Sequence, residues 1–340
     1  MMSKKGLKIC AFGVRDDEKE TLKSIGNDWE ADLKICQAEP TPESAPEAEG
    51  CIGVTISGQT YVGKELLDIY KKMGVQYLTT RTRGFNHIDV EYAADIGIRT
   101  AFATYPPDSV AEFTIMMMLV CLRNFKQQLW RGQVNDFALN GLQGKNLGAQ
   151  TVGILGTGQI GFQVIKYLKG FGCTILAYDP YPNEAVREYA EYVDLKTVYR
   201  EADLISLHLP LFPDTRHIIN RDSLDEMKDG VVLINCARGE LADTKALIWG
   251  IESGKIGALG LDVVEGEAGI VHGDHRIDII AQKDIFYLRQ FRNVIMTPHM
   301  AFFTKDAVEN MARCGIENIC RMASGQRCAE EVKIEGRTKE

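Results

Sequence analysis

The stretch Thr151–Asp179, TVGILGTGQIGFQVIKYLKGFGCTILAYD, decides the fold. Thr151 to Leu155 is a short apolar run of strand type. Gly156, Gly158 and Gly161 then fall in G-x-G-x-x-G spacing. Ile160, Val164, Ile165 and Leu168 share one face of a helical pattern, which Gly170 and Gly172 break. Cys173 to Tyr178 reads as a second strand, and Asp179 closes it, 18 residues after Gly161. Each part meets a need of a bound dinucleotide: Gly156 for a tight turn, Gly158 for backbone approach to a pyrophosphate, Gly161 for close helix–strand packing. The helix N-terminus offers unpaired N–H donors and partial positive charge to the phosphates. Asp179 can accept from both adenosine ribose hydroxyls. The glycine spacing alone is a weak signal; strand, helix, second strand and terminal acid together make it specific. A carboxylate at that point repels a 2′-phosphate, and the next basic residue is Arg187. NAD is therefore expected rather than NADP, with Gln159 and Ile160 of the same turn bordering it.

The 340 residues suffice for two domains. Apolar residues at 45% and charged residues at 25% are ordinary for a globular chain. A net charge of −8 and a pI near 5.4 argue against nucleic acid or an anionic membrane as partner. The longest apolar run, Ile115–Leu122, is far too short for a membrane span. The first residues, MMSKKGLKICAFGV, carry no secretory pattern and read as a strand from Leu7 to Val14. Nine cysteines with no C-x-x-C pair suit small buried residues in a reducing cytoplasm, with Cys236 near the cofactor.

The first hundred residues alternate strand and helix on their own account. Strand-like runs are Lys8–Phe12, Cys51–Ile56, Val75–Thr79 and Arg99–Phe102, with a helix over Lys64–Met73. Glu39–Gly50 reads as a proline-rich, acidic loop before a short helix. TYPPD at 104–108 is a hinge candidate, followed after Ser109 by one long helix, Val110 to about Trp130, apolar all round and suited to burial or a subunit interface. From Thr151 six strands are expected: Thr151–Leu155, Thr174–Tyr178, Leu204–Leu207, Val231–Asn235, Gly257–Asp262 and Val294–Met296. The final helix, Thr304–Met322, can return to the first domain, and the tail from Ala323 reads as frayed. The expectation is α/β: two Rossmann-like domains with doubly wound parallel sheets and a cleft between them. One domain comprises residues 1–104 and 300–340, and the NAD-binding domain residues 105–299.

Ligands of such sheets bind beyond the carboxyl ends of the strands. Three charged residues stand there: Arg238 in NCARGE, Glu267 in LDVVEGE and His299 in TPHMAF. Their joint presence beside a nicotinamide site points to hydride transfer on a substrate bearing a carboxylate. Arginine matches the planar 2-oxo acid with a rigid fork of donors. Histidine can donate the proton that the reduced carbonyl oxygen needs, and glutamate can orient the ring. Taken singly, each would more readily be a structural histidine or a solvated charge. His272 and His275, in VHGDH, lack a helical frame and a further ligand and read as surface loop. His87 reads as structural.

These motifs resemble the D-isomer-specific 2-hydroxyacid dehydrogenase family over nearly the whole chain. Within it the text is similar to D-lactate dehydrogenases, including those of vancomycin-resistance clusters, and to 2-hydroxyisocaproate and 2-hydroxyglutarate members. The resemblance implies that backbone N–H groups of RTRGFNHID, around Arg83 and Gly84, grip the substrate carboxylate and that Tyr105 of the hinge faces substrate. It implies that His208, Leu209 and Pro210 lie under the adenosine side of NAD, and that Asp262 lies near the nicotinamide end. Thr215, Cys236 and Ala237 are expected to border the cofactor too. The hydroxyglutarate members carry an arginine aligned with Ser57, which here cannot pair a second carboxylate. Arg83 stands where relatives carry a small or apolar residue, so its side chain either points to solvent or charges the pocket.

The expected activity is NAD-dependent reduction of a small 2-oxo acid to the (R)-2-hydroxy acid, first pyruvate to D-lactate, by a cytoplasmic homodimer. Branched, aromatic or dicarboxylic 2-oxo acids, or a glycerate-type substrate, are alternatives. A non-catalytic NAD sensor is the alternative of another class.

Overall fold

A computed structural model describes residues 6–334, and the strand expected over Leu7–Val14 is observed over Lys8–Ala11 alone. The chain divides into two compact units, one running to Pro106 and resuming at Phe303, the other spanning Pro107–Phe302.

The first unit is built on five parallel strands: β1 (Lys8–Ala11), β2 (Asp32–Ile35), β3 (Gly53–Ile56), β4 (Tyr77–Thr80) and β5 (Arg99–Ala101), in spatial order 2-1-3-4-5. β3 and β4 are buried throughout, as strands covered on both faces must be. β2, sequence DLKI, was not legible as a strand: it is an edge strand of alternating half-exposed residues with one neighbour. On one face Phe12, Val54, Ile56, Leu67, Tyr70 and Leu78 form a core. On the other, Ala312, Ile316 and Ile319 of the helix Lys305–Ala323 pack with Ile9, Ala11 and Leu22. Thr79 donates to the Gly315 carbonyl at 2.7 Å, tying that helix to the sheet. Up to residue 334 the tail is not frayed. Glu331 pairs antiparallel with Ala101, and its carboxylate meets Arg99 at 2.7 Å. The end of the expected tail, from residue 335, lies outside the described residues.

The second unit holds seven parallel strands: β6 (Thr151–Leu155), β7 (Thr174–Tyr178), β8 (Glu191–Tyr192), β9 (Leu204–Leu207), β10 (Val231–Asn235), β11 (Ile256–Leu261) and β12 (Val294–Met296). Their order is 12-11-10-9-6-7-8, so the sense of progression reverses at β6 and β9. Two-residue β8 went unforeseen because so short a run carries no period. The expected helix from Val110 to Trp130 is two helices, Asp108–Leu122 and Phe125–Gly132. Asn124 breaks it by taking a left-handed conformation (φ 51°), which asparagine tolerates better than most residues, and its side-chain amide donates to the Gln143 carbonyl. Asp108 accepts from Gln163 and Tyr167, fixing the first of these helices on Gln159–Lys169. Among the described residues no helix is long and apolar enough to cross a membrane.

One buried charge braces the carboxyl edge of the first sheet. Arg81, 2% exposed, bonds Glu18 at 3.0 Å and donates to the carbonyls of Phe12, Gly13 and Thr55. It thereby joins the ends of β1, β3 and β4. Removing one partner of such a pair strands the other charge in the interior. Glu18→Ala is expected to lower unfolding free energy by about 3 kcal/mol in urea titrations; a loss under about 0.5 kcal/mol would mean that the carbonyls alone satisfy the guanidinium.

Candidate active site

The glycine turn has the shape its spacing demands. Gly156 sits at φ +96°, and a Cβ there would stand 2.6 Å from the His208 carbonyl carbon. A Cβ on Gly161 would collide with the Gly156 carbonyl oxygen. Gly158 caps the helix Gln159–Lys169, and a Cβ built on it meets nothing within 4 Å. Close packing at two glycines and open space at the third, at the N-terminus of a helix, are what a pyrophosphate requires of such a turn. The residues present therefore fit a dinucleotide.

Asp179 ends β7 as the spacing required. One oxygen accepts from the Thr157 backbone and hydroxyl (2.7 and 3.0 Å), the other from Tyr181 N–H at 2.9 Å. Thr157 in turn pairs with Tyr192 at 2.7 Å. Spacing does not reveal this brace, because Tyr192 lies in the two-residue strand β8. His208 follows β9, and its Nε2 meets Ser206 Oγ at 2.9 Å. Burial pushes its imidazole down from 6.5 to about 4, so it stands neutral at pH 7. The Thr215 hydroxyl is buried and spent on its own loop, donating to the Pro210 carbonyl at 2.7 Å and accepting from Phe212 N–H. Cys236 is buried and its thiol is pushed up by that burial, so it is no nucleophile. Ala237 N–H is held by Asn235 at 3.0 Å.

Arg238, Glu267 and His299 follow the adjacent strands β10, β11 and β12. His299 Nδ1 meets Glu267 Oε1 at 2.7 Å, and the second Glu267 oxygen accepts from Val264 N–H at 2.8 Å. The arginine loop packs backbone to backbone on the glutamate loop: a Cβ on Gly239 would run into Val264 and Glu265. Asn235 holds the Arg238 carbonyl at 2.8 Å, and the Arg238 guanidinium donates to the Ala237 carbonyl at 2.6 Å. His299 is in the left-handed region, φ 55°. Asp262, 1% exposed, holds it there: its carboxylate accepts from the Thr297 hydroxyl and the N–H groups of Met300 and Ala301, and its carbonyl from His299 N–H. His272 was read as plain surface loop. It is exposed, yet its Nε2 bonds the His299 carbonyl at 3.0 Å and its ring lies 5.9 Å from the His299 ring.

Further residues join these loops without any signal in the sequence. Glu265 pairs with Arg216 and, at 2.9 Å, with His217, linking the loops after β9 and β11. In the first unit, Arg83, Gly84 and Tyr105 are half-buried in the loops after β4 and β5. Thr82 donates to the Gly84 carbonyl at 2.7 Å, and its own carbonyl accepts from Ala103 N–H. His87 bonds Thr80 at 3.1 Å. Ser57 does not face outward unengaged; it donates to Glu39 at 2.8 Å.

A dinucleotide turn beside an arginine, a glutamate–histidine pair and a doubly wound sheet defines an oxidoreductase of the dehydrogenase class. Residues 115–301 match the family model described as D-isomer specific 2-hydroxyacid dehydrogenase, NAD binding domain. The chain is 40% identical to an aromatic 2-oxoacid reductase of Clostridium sporogenes over 92% of its length and 95% of that protein's. It is 35% identical to the D-lactate dehydrogenase of Escherichia coli K12, over 96% and 100%. The NAD-complexed structure of a D-isomer specific 2-hydroxyacid dehydrogenase from Lactobacillus delbrueckii ssp. bulgaricus superposes with a TM-score of 0.83 at 30% identity, covering 96% and 100%. The protein belongs to the D-isomer specific 2-hydroxyacid dehydrogenases. Its cofactor is NAD and its activity that of an NAD-dependent (R)-2-hydroxyacid dehydrogenase.

His208 gives this site a pH signature. Its folded value of about 4 lies below the unfolded 6.5. Between these values the unfolded chain binds the extra proton, so stability from this group is complete above pH 6.5 and is lost as pH falls toward 4. Urea titrations from pH 7 to 4 are expected to show up to about 2 kcal/mol of loss that His208→Gln removes; identical slopes in both proteins would assign the loss elsewhere.

Proposed function

We propose that the protein reduces a small 2-oxo acid, pyruvate first, to the (R)-2-hydroxy acid, with Arg238, Glu267 and His299 as its catalytic residues. The observation that carries this is the 2.7 Å pairing of His299 Nδ1 with Glu267 at the end of a strand beside the Arg238 loop. Bound NADH supplies the hydride that adds to the carbonyl carbon. Arg238 binds the substrate carboxylate and draws charge from the carbonyl oxygen, a fork-shaped donor meeting a planar acceptor. Glu267 accepts from Nδ1 and fixes the ring, so Nε2 passes its proton to that oxygen and the imidazolium becomes neutral imidazole. Val264 N–H, by holding the second glutamate oxygen, sets the direction from which the ring is gripped. Arg83 and Gly84 N–H groups and Tyr105 complete the binding of the carboxylate side. Gly156 to Gly161, Asp179, His208 to Pro210, Thr215, Cys236, Ala237 and Asp262 form the cofactor's surroundings.

Aromatic 2-oxo acids are the second reading, favoured by the 40% identity to the aromatic 2-oxoacid reductase against 35% to the D-lactate dehydrogenase. Spectrophotometric NADH oxidation over pyruvate, branched, aromatic and dicarboxylic 2-oxo acids separates them by kcat/KM. His299→Ala is expected to lower kcat at neutral pH by roughly a thousandfold while leaving NADH affinity within about twofold. Unchanged turnover would remove the assigned acid. Absence of turnover on every acid in the unaltered enzyme would favour an NAD sensor.

A homodimer is part of the same proposal. Phe125, Leu129, Trp130, Val134, Phe137 and Leu139 form an exposed apolar run, with Leu139 at 85% exposure. Such a run is costly to leave in water and suits a second copy. Light scattering is expected to give twice the chain mass, reduced to the chain mass in a Phe137→Glu, Leu139→Glu double variant; a monomer before substitution would refute it.

A further inference from the structure

We infer that Glu39 is a specificity-determining residue, selecting 2-oxo acids whose side chain ends in a hydrogen-bond donor and rejecting those that end in a second carboxylate. The inference rests on the reduction of 2-oxo acids proposed above. Glu39 follows β2 and reaches across to the carboxyl ends of β1 and β3. Its Oε2 accepts from Ser57 at 2.8 Å and Thr60 at 3.1 Å. Its Oε1 lies against Gly13, 2.6 Å from where a Cβ would stand. Among the described residues no cation lies within ion-pair distance of this carboxylate; the nearby Arg81 is committed to Glu18 and three carbonyls. Two hydroxyls use one oxygen and leave the other to accept.

This half-buried charge belongs to the edge that also carries the loop assigned to the substrate carboxylate. Ser57 leads into Gly58, which packs on Thr82: a Cβ on Gly58 would stand 2.8 Å from Thr82 Cγ2. Thr82 in turn holds the Gly84 carbonyl. A substrate gripped by the Arg83–Gly84 backbone thus projects its side chain along an edge that ends in a carboxylate. A second carboxylate brought to that edge meets a like charge, whereas a hydroxyl, phenol or amide donor meets an acceptor.

The test uses an isosteric pair, oxaloacetate and 2-oxosuccinamate, which differ by one carboxylate against one amide and are too short to close into a five-membered lactam. For the intact enzyme with NADH, kcat/KM is expected to favour the amide by about a hundredfold. Glu39→Gln is expected to shrink that ratio at least about tenfold, and Glu39→Asp, which keeps the charge, to hold it near the starting value. A ratio taken within one variant does not depend on how much of it folds. Thermal-shift titration of both acids against the NAD-bound protein is expected to give the same order without turnover. A ratio unmoved by Glu39→Gln, or turnover of pyruvate with neither probe accepted, overturns the inference. Failure of the unaltered enzyme to reduce any 2-oxo acid removes the reading beneath it.

Discussion

The buried carboxylate of Asp262 is the interaction on which the reactive end of the second unit depends. A chain leaving a parallel strand must turn at once, and its N–H groups lose their ladder partners there. After β12 two of those N–H groups, of Met300 and Ala301, end on the Asp262 carboxylate, and the Thr297 hydroxyl joins them as a third donor. The Asp262 carbonyl takes a fourth, from His299 itself. A left-handed histidine costs about 1–2 kcal/mol, and charge-assisted hydrogen bonds of roughly that size each offset it. The strain is thus stored where the imidazole must point at Glu267. Asp262 was expected at the nicotinamide end of the site; its carboxylate serves first as the anchor of the loop that carries His299.

The same logic runs along the whole carboxyl edge of both sheets. In the first unit Arg81 replaces Asp262 as the buried charge, and it gathers carbonyls instead of N–H groups. In the second, Asp179 gathers Thr157 and Tyr181 N–H groups and so fixes the glycine turn against β7. Each of these charges satisfies backbone groups that strand ends leave unpaired. Parallel strands deliver all such ends to one side, so the bracing charges and the chemical groups share an edge.

What could be read from the sequence follows from which constraints are local. The glycine turn, the six longer strands of the second unit and the positions of Arg238, Glu267 and His299 after strand ends were legible, because spacing and hydrophobic period encode them directly. β2 and β8 were not: one is a half-exposed edge strand and the other two residues long. The break at Asn124 was hidden because helix propensity changes little there, while a single left-handed residue redirects the chain. The tail beyond Ala323 reads as polar, yet Glu331 finds Arg99 across 232 positions.

The least legible feature is the pairing of charge with distant hydroxyls. Glu39 stood in a stretch read only as a loop, and Ser57 was weighed for what it lacked, a cation. The fold joins the two at 2.8 Å and so turns a neutral position into a negative one. Local sequence cannot reveal this, since the partners are 18 residues apart on different strand ends and neither matches a motif. The glycine turn and the histidine–glutamate pair are tied to the shared chemistry of cofactor and 2-oxo acid, which leaves little freedom in residue type. Loop side chains such as Glu39 lie outside those motifs. No spacing rule ties them to the shared chemistry, and for that reason a motif finds the reaction before it finds the substrate.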